Sequence, residues 1–232
     1  MKKHLYLFIS ILFLLAFIVF TILVKTVDVR YIYNNTYLGF YELNFKFGFK
    51  VVEFGKYDSM KTISDVLLYI AIAYSGILGI FGLIQLIKNK SFKKVDKRFY
   101  ILLGMYLFIA FVYLLFELIK VNYSPESTKS VLKASYPSSH VFIGCSLLLL
   151  NSYTSIKLLN PEKSWLTYLV YLSTGLICVL LTFTRLLSLK HWLTDVIASV
   201  ILVGAIYFAF IYISHRLVVT SEKESLSNTS AE

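Results

Sequence analysis

The sequence predicts an all-α, polytopic membrane protein with six transmembrane helices. Of its 232 residues, 58% are hydrophobic and 16% are charged, whereas a soluble domain carries roughly 25% charged residues. The mean hydropathy is +0.72, and three prolines and ten glycines leave little room for a loop-rich fold. These values favour an integral membrane protein over a soluble protein with a large apolar core.

Six apolar runs have the length that a transmembrane helix needs, which is about 20 residues for about 30 Å of hydrocarbon. Because backbone polar groups in lipid must be satisfied internally, the runs are expected to be α-helices, and they lack the strand-period alternation of a transmembrane barrel. The first run is expected to be an uncleaved helix, since it is longer than a signal core and no Ala-x-Ala-like site follows it. The predicted spans are 4–24, 64–87, 99–119, 141–157, 164–184 and 192–214.

The positions of the basic residues predict the orientation of these helices. Six lysines and arginines lie close together in the 88–98 loop, which places this loop in the cytoplasm. Segments 25–63, 120–140 and 185–191 then emerge on the extracytoplasmic side of the cell membrane. Membrane topology alone accounts for the net charge of +10, so the charge does not indicate a nucleic-acid partner.

Segment 25–63 is the longest predicted loop and is rich in tyrosine and phenylalanine. Partial alternation over 44–54 allows a hairpin or an interfacial segment, and its aromatic and lysine side chains suit the headgroup layer. Two roles stay open, an amphipathic loop that covers the helices or a lid over a lipid entry path. The segment belongs to a single membrane domain, 1–216, followed by a polar tail, 217–232, that is expected to be disordered and cytoplasmic.

Residues suited to phosphate chemistry follow the fifth apolar run. His191 and Asp195 are four positions apart, a spacing that stacks two residues on one helical face and would let the carboxylate fix the imidazole tautomer. A histidine held in this way can form a covalent phospho-intermediate. Arg185 offers a planar guanidinium to two phosphate oxygens. The alternatives are a helix-start pair stabilised by the helix dipole and an arginine that anchors the helix at the interface.

A second polar segment, Pro137-Ser138-Ser139-His140, precedes the fourth predicted helix. A seryl side chain can cap this helix, whose free N–H groups form an anion site, and the hydroxyls can donate to phosphate oxygens. His140 is placed to protonate a leaving oxygen; an ordinary capped helix with an interfacial histidine is the alternative. Because both polar segments emerge on one side of the membrane, we interpret His140, Arg185, His191 and Asp195 as one site.

The two segments resemble motifs of the type 2 phosphatidic acid phosphatase superfamily, which read Lys-x6-Arg-Pro, Pro-Ser-Gly-His and Ser-Arg-x5-His-x3-Asp. Thr184-Arg185-x5-His191-x3-Asp195 matches the third motif in all but its leading serine, and Ser139 replaces the glycine of the second. The resemblance covers about half of the chain and implies six helices, in agreement with the apolar runs.

The resemblance also implies a role for each matching residue. His191 would be the nucleophile, Asp195 its orienting partner and His140 the general acid on the leaving group. Arg185, Ser138 and the backbone of Ser139 would hold the phosphoryl oxygens.

The first motif is where this sequence departs from the family. The best alignment places Ser124 at the family's arginine and Glu117 at its lysine, so neither position supplies a positive charge. Lys120 is the closest replacement for substrate binding, and Lys129 or Lys133 in the same loop could also reach the phosphate. Because one lost oxyanion donor costs ~2.7–4 kcal/mol of transition-state stabilisation, the activity could be reduced or the substrate altered.

The sequence therefore favours hydrolysis of a lipid phosphate or pyrophosphate, such as undecaprenyl diphosphate or phosphatidic acid, at the outer leaflet. The resemblance implies no metal or other cofactor, and the two cysteines, Cys145 and Cys178, lack the spacing of a metal site. A phosphotransferase with the same intermediate and a catalytically impaired lipid-phosphate-binding protein are the alternatives. A transporter is disfavoured because the polar residues cluster at one face of the membrane and not at its middle. The lipid and the oligomeric state stay open.

Overall fold

The computed structural model of this chain describes residues 2–33, 36–127, 131–159 and 164–229. In this part of the chain it contains seven α-helices and one antiparallel two-stranded sheet. The strands are β1 (Arg30–Tyr33) and β2 (Thr36–Leu38). The helices are α1 (Lys2–Thr26), α2 (Tyr41–Phe54), α3 (Tyr57–Asn89), α4 (Lys97–Ile119), α5 (Ser139–Leu159), α6 (Ser164–Leu186) and α7 (Leu193–Thr229).

Six of these helices, all but α2, are long and apolar enough to cross a membrane, so the predicted six-helix membrane fold is confirmed. Most span ends lie within about two residues of the predicted runs. The exceptions are the last span, which ends at Val218 and not at residue 214, and helix α3, which begins at Tyr57 and not at residue 64. The 33 residues of α3 correspond to about 50 Å of helix, longer than the hydrocarbon layer is thick, and its first turns carry the charged residues Asp58 and Lys61.

Helix α5 lies at the centre of the bundle. Of its span, 67% is buried, against 11% for the spans of α1 and α6, and it packs against α3, α4, α6 and α7. Gly144 allows a close approach to Leu181 of α6, and the amide of Asn151 donates to the hydroxyl of Ser75 on α3 at 2.8 Å. Such contacts hold helices together in lipid, where burying apolar surface gains nothing over the lipid tails. Protein surrounds α5, which is therefore the least apolar of the six spans.

Helix α1 packs along α7, which continues well beyond its apolar part. Ser10 of α1 donates to the carbonyl of Ala205 at 2.8 Å. Because α7 ends at Thr229, the prediction of a disordered tail is wrong for residues 217–229, where glutamate and lysine are good helix formers. Residues 230–232 lie outside the described residues, and the cytoplasmic location of this segment stays a prediction.

The segment between α1 and α3 forms a short hairpin and then a helix. Of the two forms expected over 44–54, the hairpin is excluded there, because α2 occupies residues 41–54. The rings of Tyr41, Phe45 and Phe49 follow one another along α2, with centroids 4.3 and 6.2 Å apart. Aromatic residues four positions apart support a helix. The same phenylalanines also alternate with polar residues, which is why the sequence pattern suggests a strand.

Helix α2 is held against the beginning of α7 by a buried asparagine. The amide of Asn44 donates to the carbonyl of Gly39 at 2.9 Å, and its Oδ1 accepts from the backbone N–H of Thr194 at 3.2 Å. Gly39 itself lies so close to α1 that a Cβ at this position would stand 1.7 Å from the carbonyl oxygen of Val24. The hairpin and α2 are therefore fixed to two of the transmembrane helices.

We expect Gly39→Ala to destabilise the protein by about 1–3 kcal/mol or more, because an overpacked contact with backbone atoms cannot relax by a side-chain rotation. The end of α1 and the hairpin would have to separate, and Asn44 would lose its acceptor. Thermal unfolding in detergent measures the change. Gly104→Ala is the control, since a Cβ there meets nothing within 4 Å. Equal unfolding temperatures for the two variants would contradict this account.

Candidate active site

Several helix ends meet at one end of the bundle and carry most of the predicted site residues. Helix α6 ends one residue after Arg185, and α5 begins one residue before His140. Helix α7 begins between His191 and Asp195. The first turns of α3 reach the same place, because that helix is longer than its neighbours. The structure thus brings these four predicted residues together.

His191 is buried, with 7% of its side chain exposed, and both of its ring nitrogens have partners. Nδ1 lies 2.8 Å from the carbonyl oxygen of Ser135; since a carbonyl only accepts, Nδ1 carries the proton and Nε2 keeps its lone pair. Nε2 lies 3.2 Å from Nη2 of Arg185. The pKa of His191 lies well below its ordinary value of 6.5, first because burial disfavours the charged ring and then because Arg185 repels it. The ring is therefore neutral at neutral pH.

Asp195 is fully buried in the first turn of α7. Its Oδ1 accepts from the amide of Asn122 at 2.9 Å, and its Oδ2 accepts from the backbone N–H of Trp192 at 3.0 Å, as in a capping box. Nδ1 of His191 lies 3.9 Å from Oδ2, too far for a hydrogen bond. The expected stacking on one helical face is wrong, because His191 precedes α7, and Ser135 takes the role of fixing the tautomer.

The loop between α4 and α5 supplies Asn122, the partner of Asp195, and Ser135, the partner of His191. Within it, the backbone N–H of Ser135 donates to the carbonyl of Asn122 at 3.0 Å, and the indole of Trp192 donates to the carbonyl of Tyr123 at 2.7 Å. The loop therefore aligns Asn122 with Asp195 and Ser135 with His191. Sequence reasoning did not predict that Asn122 binds Asp195 or that Ser135 binds His191. The sequence gives a signal only for Asn122, which lies beside the first-motif segment.

Arg185 is the second buried member of the site, with 8% of its side chain exposed. Besides its contact with His191, its Nη1 lies 3.5 Å from the hydroxyl of Ser64 and 3.5 Å from Oδ1 of Asp65. Its Nε is buried without a partner in the described part of the chain. The guanidinium therefore keeps one donor, Nε, that no described residue uses, while its Nη2 faces the lone pair of His191.

His140 contacts a carboxylate that sequence reasoning missed. Its Nε2 lies 2.9 Å from Oδ1 of Asp65 on α3, while its Nδ1 is buried and has no partner among the described residues. His140 and Asp65 are more exposed than Arg185 and His191, at 22% and 29% of their side chains, so they form the open side of the site. The signal in the sequence is a carboxylate inside an apolar run, which is costly without a partner.

The serines at the start of α5 lie beside the histidines. The hydroxyl of Ser138 is buried without a partner in the described residues, so it does not cap α5 as expected and stays available to a ligand. Its backbone N–H donates to the carbonyl of Asp195 at 3.2 Å and is not free for an anion. Ser139 lines a small cavity that it shares with His191 and Glu117.

Lys120 makes no hydrogen bond or ion pair with the other predicted site residues in the described part of the chain. It ends α4 with a left-handed backbone, φ 49°, and its exposed side chain makes no hydrogen bond or ion pair with any residue that the structure describes. Lys133 is exposed in the next part of the loop, and Lys129 lies outside the described residues. Substrate binding by Lys120 therefore stays a prediction without a supporting contact.

Ser124, at the position of the family's arginine, is buried beside another lysine. Its hydroxyl donates to the carbonyl of Lys190 at 2.9 Å, and the ammonium of Lys190 pairs with Glu126. One of the lysines whose backbone contacts the first-motif position is thus already paired with a carboxylate.

An aromatic cleft of about 390 Å³ lies next to the site. One wall is the face of α2 with Phe45 and Phe49, and the other includes Trp192, whose ring stacks on Phe45 with centroids 5.5 Å apart. Glu126 reaches its rim. Within residues 2–33, 36–127, 131–159 and 164–229, no group of three or more histidines, cysteines and carboxylates is arranged to hold a metal ion.

The chain is similar in sequence and fold to known proteins. The sequence profile of the PAP2 superfamily matches residues 102–218, which are 117 of the 232 residues. The fold is similar to the crystal structure of the first transmembrane PAP2-type phosphatidylglycerolphosphate phosphatase from Bacillus subtilis, with a TM-score of 0.61 and 17% identity. The similarity covers 90% of this chain and 97% of that one. No curated protein sequence matches the chain.

The profile match runs from α4 into α7 and includes the loop with Asn122 and Ser135, the start of α5 and the segment from Arg185 to Asp195. The similarity in fold to the transmembrane PAP2-type phosphatase extends over 90% of this chain, including its six apolar helices. The resemblance seen in the sequence motifs is therefore confirmed, and this chain is an integral membrane protein of the PAP2 superfamily.

Proposed function

We propose that this protein hydrolyses a lipid phosphate or pyrophosphate through a phosphohistidine and without a metal ion. The observation that carries the proposal is the contact between Nε2 of His191 and the guanidinium of Arg185, at 3.2 Å. A neutral imidazole is a nucleophile, and a guanidinium matches the geometry of two phosphate oxygens. Their closeness supports attack on a phosphorus atom whose oxygens Arg185 binds.

The proposed reaction has two steps that return the enzyme to its starting state. Nε2 of His191 attacks phosphorus and forms an N–P bond while the bond from phosphorus to the leaving oxygen breaks, and His140 donates a proton to that oxygen. Water then attacks phosphorus and gives a proton to His140, the N–P bond breaks, and inorganic phosphate leaves. Arg185 and the unpaired hydroxyl of Ser138 stabilise the phosphoryl oxygens in both steps.

The cleft beside the site supports a membrane lipid as the substrate. Aromatic side chains suit the boundary between hydrocarbon and headgroups, so the apolar part of a lipid would pack near Phe49 while its phosphate reaches His191. The similar Bacillus subtilis protein is a phosphatidylglycerolphosphate phosphatase, so this lipid belongs in a test panel with phosphatidic acid and undecaprenyl diphosphate. The basic 88–98 loop joins the opposite ends of α3 and α4, which supports an outer-leaflet site.

A protein that binds lipid phosphates without hydrolysing them is the second candidate. The observation that favours it lies at the first-motif position, where Ser124 replaces a cation and the neighbouring Lys190 is paired with Glu126. A site with one guanidinium holds a phosphate but stabilises the transferred phosphoryl group less well than a site with two cations.

We expect His191→Asn to lower the rate of phosphate release by about 10³-fold or more, because it removes the nucleophile. The assay uses the purified protein in detergent with the lipid panel, and His4→Asn, at the other end of α1, is the matched control. Rapid quenching with ³²P-labelled substrate should trap labelled wild type and not the variant. Transfer of the ³²P label to an acceptor lipid would indicate a transferase. If wild type and His191→Asn are equally inactive in phosphate release, the proposed hydrolase activity is overturned.

We expect His191 in the free protein to gain its proton only below its ordinary pKa of 6.5. Burial and the charge of Arg185 both disfavour the protonated ring, so the imidazole stays neutral as the pH falls through that value. Nuclear magnetic resonance of ¹³C-labelled histidines in micelles measures the titration, and the resonance missing from His191→Asn identifies the residue. A pKa at or above 6.5 would contradict the buried contact with Arg185.

We expect Ser124→Arg to raise kcat/KM for a lipid phosphate by about tenfold or more, since a hydrogen bond to a charged group contributes about 1.5–3 kcal/mol. Leu132→Arg adds the same charge at an exposed position of the loop and should change little. If the wild type is active and Ser124→Arg has the same kcat/KM, position 124 does not face the phosphate.

A further inference from the structure

Asp65 lies in the third turn of α3, outside the motif segments, yet it contacts two residues of the site. We propose that Asp65 is a positioning residue that holds His140 as the general acid and base of the reaction. This inference rests on the proposed function and deepens it, since it adds a carboxylate and imidazole pair on the leaving-group side.

The contacts of Asp65 divide between its two oxygens. Oδ1 lies 2.9 Å from Nε2 of His140 and 3.5 Å from Nη1 of Arg185. Oδ2 lies 3.9 Å from the ammonium of Lys61, one turn earlier on α3. The shortest of the three contacts is thus the one to His140, and Arg185 and Lys61 flank the carboxylate on its other sides.

This geometry assigns a separate task to each ring nitrogen of His140. An ionised carboxylate only accepts hydrogen bonds, so Nε2 carries a proton that it donates to Asp65. Nδ1 has no partner in the described part of the chain, so it is the atom that exchanges protons with the reaction. Protonated Nδ1 gives its proton to the leaving oxygen, and neutral Nδ1 later takes one from the attacking water, while the Nε2–H bond to Asp65 stays intact.

A carboxylate in this position favours proton transfer in two ways. It fixes one tautomer and one orientation of the ring, and it stabilises the imidazolium that must be present before the leaving group departs. His140 is the more exposed histidine of the two, and without this partner water would compete for its Nε2. The alternative is that Asp65 only links α3 to α5 and α6, in which case its loss would affect every substrate equally.

Substrates with different leaving groups distinguish a role of Asp65 in positioning His140 from a role in linking the helices. A lipid phosphate releases an alkoxide that needs a proton, whereas p-nitrophenyl phosphate releases a stable phenolate that does not. We expect Asp65→Asn to lower kcat for the lipid phosphate by about tenfold to a hundredfold and to leave KM for that lipid within about threefold of wild type. For the aryl phosphate the constant to compare is kcat/KM, which ends with the departure of the phenolate and should also stay within about threefold, because kcat includes the later attack of water, in which His140 acts as the base. Asp58→Asn, an exposed change on the same helix, is the matched control.

A double-mutant cycle tests whether Asp65 acts through His140. Against a His140→Asn background, Asp65→Asn should cause no further loss, because the residue that it positions is already absent. A loss that adds to that of His140→Asn, or an equal loss on both leaving groups, would overturn the proposal and assign Asp65 to the Arg185 contact or to helix packing.

A measurement that does not depend on enzymatic activity tests the contact between Asp65 and His140 independently of the proposed function. The ¹⁵N spectrum of labelled wild-type protein should show neutral His140 as the Nε2–H tautomer, and Asp65→Ala should release the ring to exchange between tautomers. An inactive wild type that keeps the Nε2–H tautomer would overturn the hydrolase but support the positioning contact. Tautomer exchange in the wild type would overturn the positioning role whatever the activity.

Discussion

A buried guanidinium at the end of an apolar helix is the constraint on which the rest of the site depends. An isolated charge in such a place costs several kcal/mol, so Arg185 must have partners. Ser64 and Asp65 supply them from α3, and the neutral ring of His191 supplies another from the segment before α7. Pairing this one charge therefore requires that three separate elements meet, and Nε still has no partner among the residues that the structure describes.

The two carboxylates of the site have different environments and so do different work. Asp195 is fully buried, bound by Asn122 and by the backbone of Trp192, and it fixes the start of α7 and the loop in front of it. Asp65 lies at the open side among cations, where it contacts His140. The ring of His191 stays neutral because it is buried and because Arg185 repels the protonated form, and its proposed role as a nucleophile requires a neutral ring.

The position of the site follows from helix length. Helix α3 is longer than the hydrocarbon layer is thick, so its first turns bring charged side chains to the boundary between lipid and water. Helix α2 lies over the same end of the bundle, held to α7 through Asn44, and adds an aromatic wall beside the site.

The sequence by itself determined the six spans and the family, and it predicted His140, Arg185, His191 and Asp195 as site residues, because span length, composition and motif spacing are properties of the chain alone. Only the tertiary structure decided what each residue contacts. Ser135 acts through a backbone carbonyl, which every residue has, and Asp65 is 75 positions from His140. Such contacts depend on loop conformation and on the rotation of α3 against α5, and neither leaves a periodic signal in the sequence.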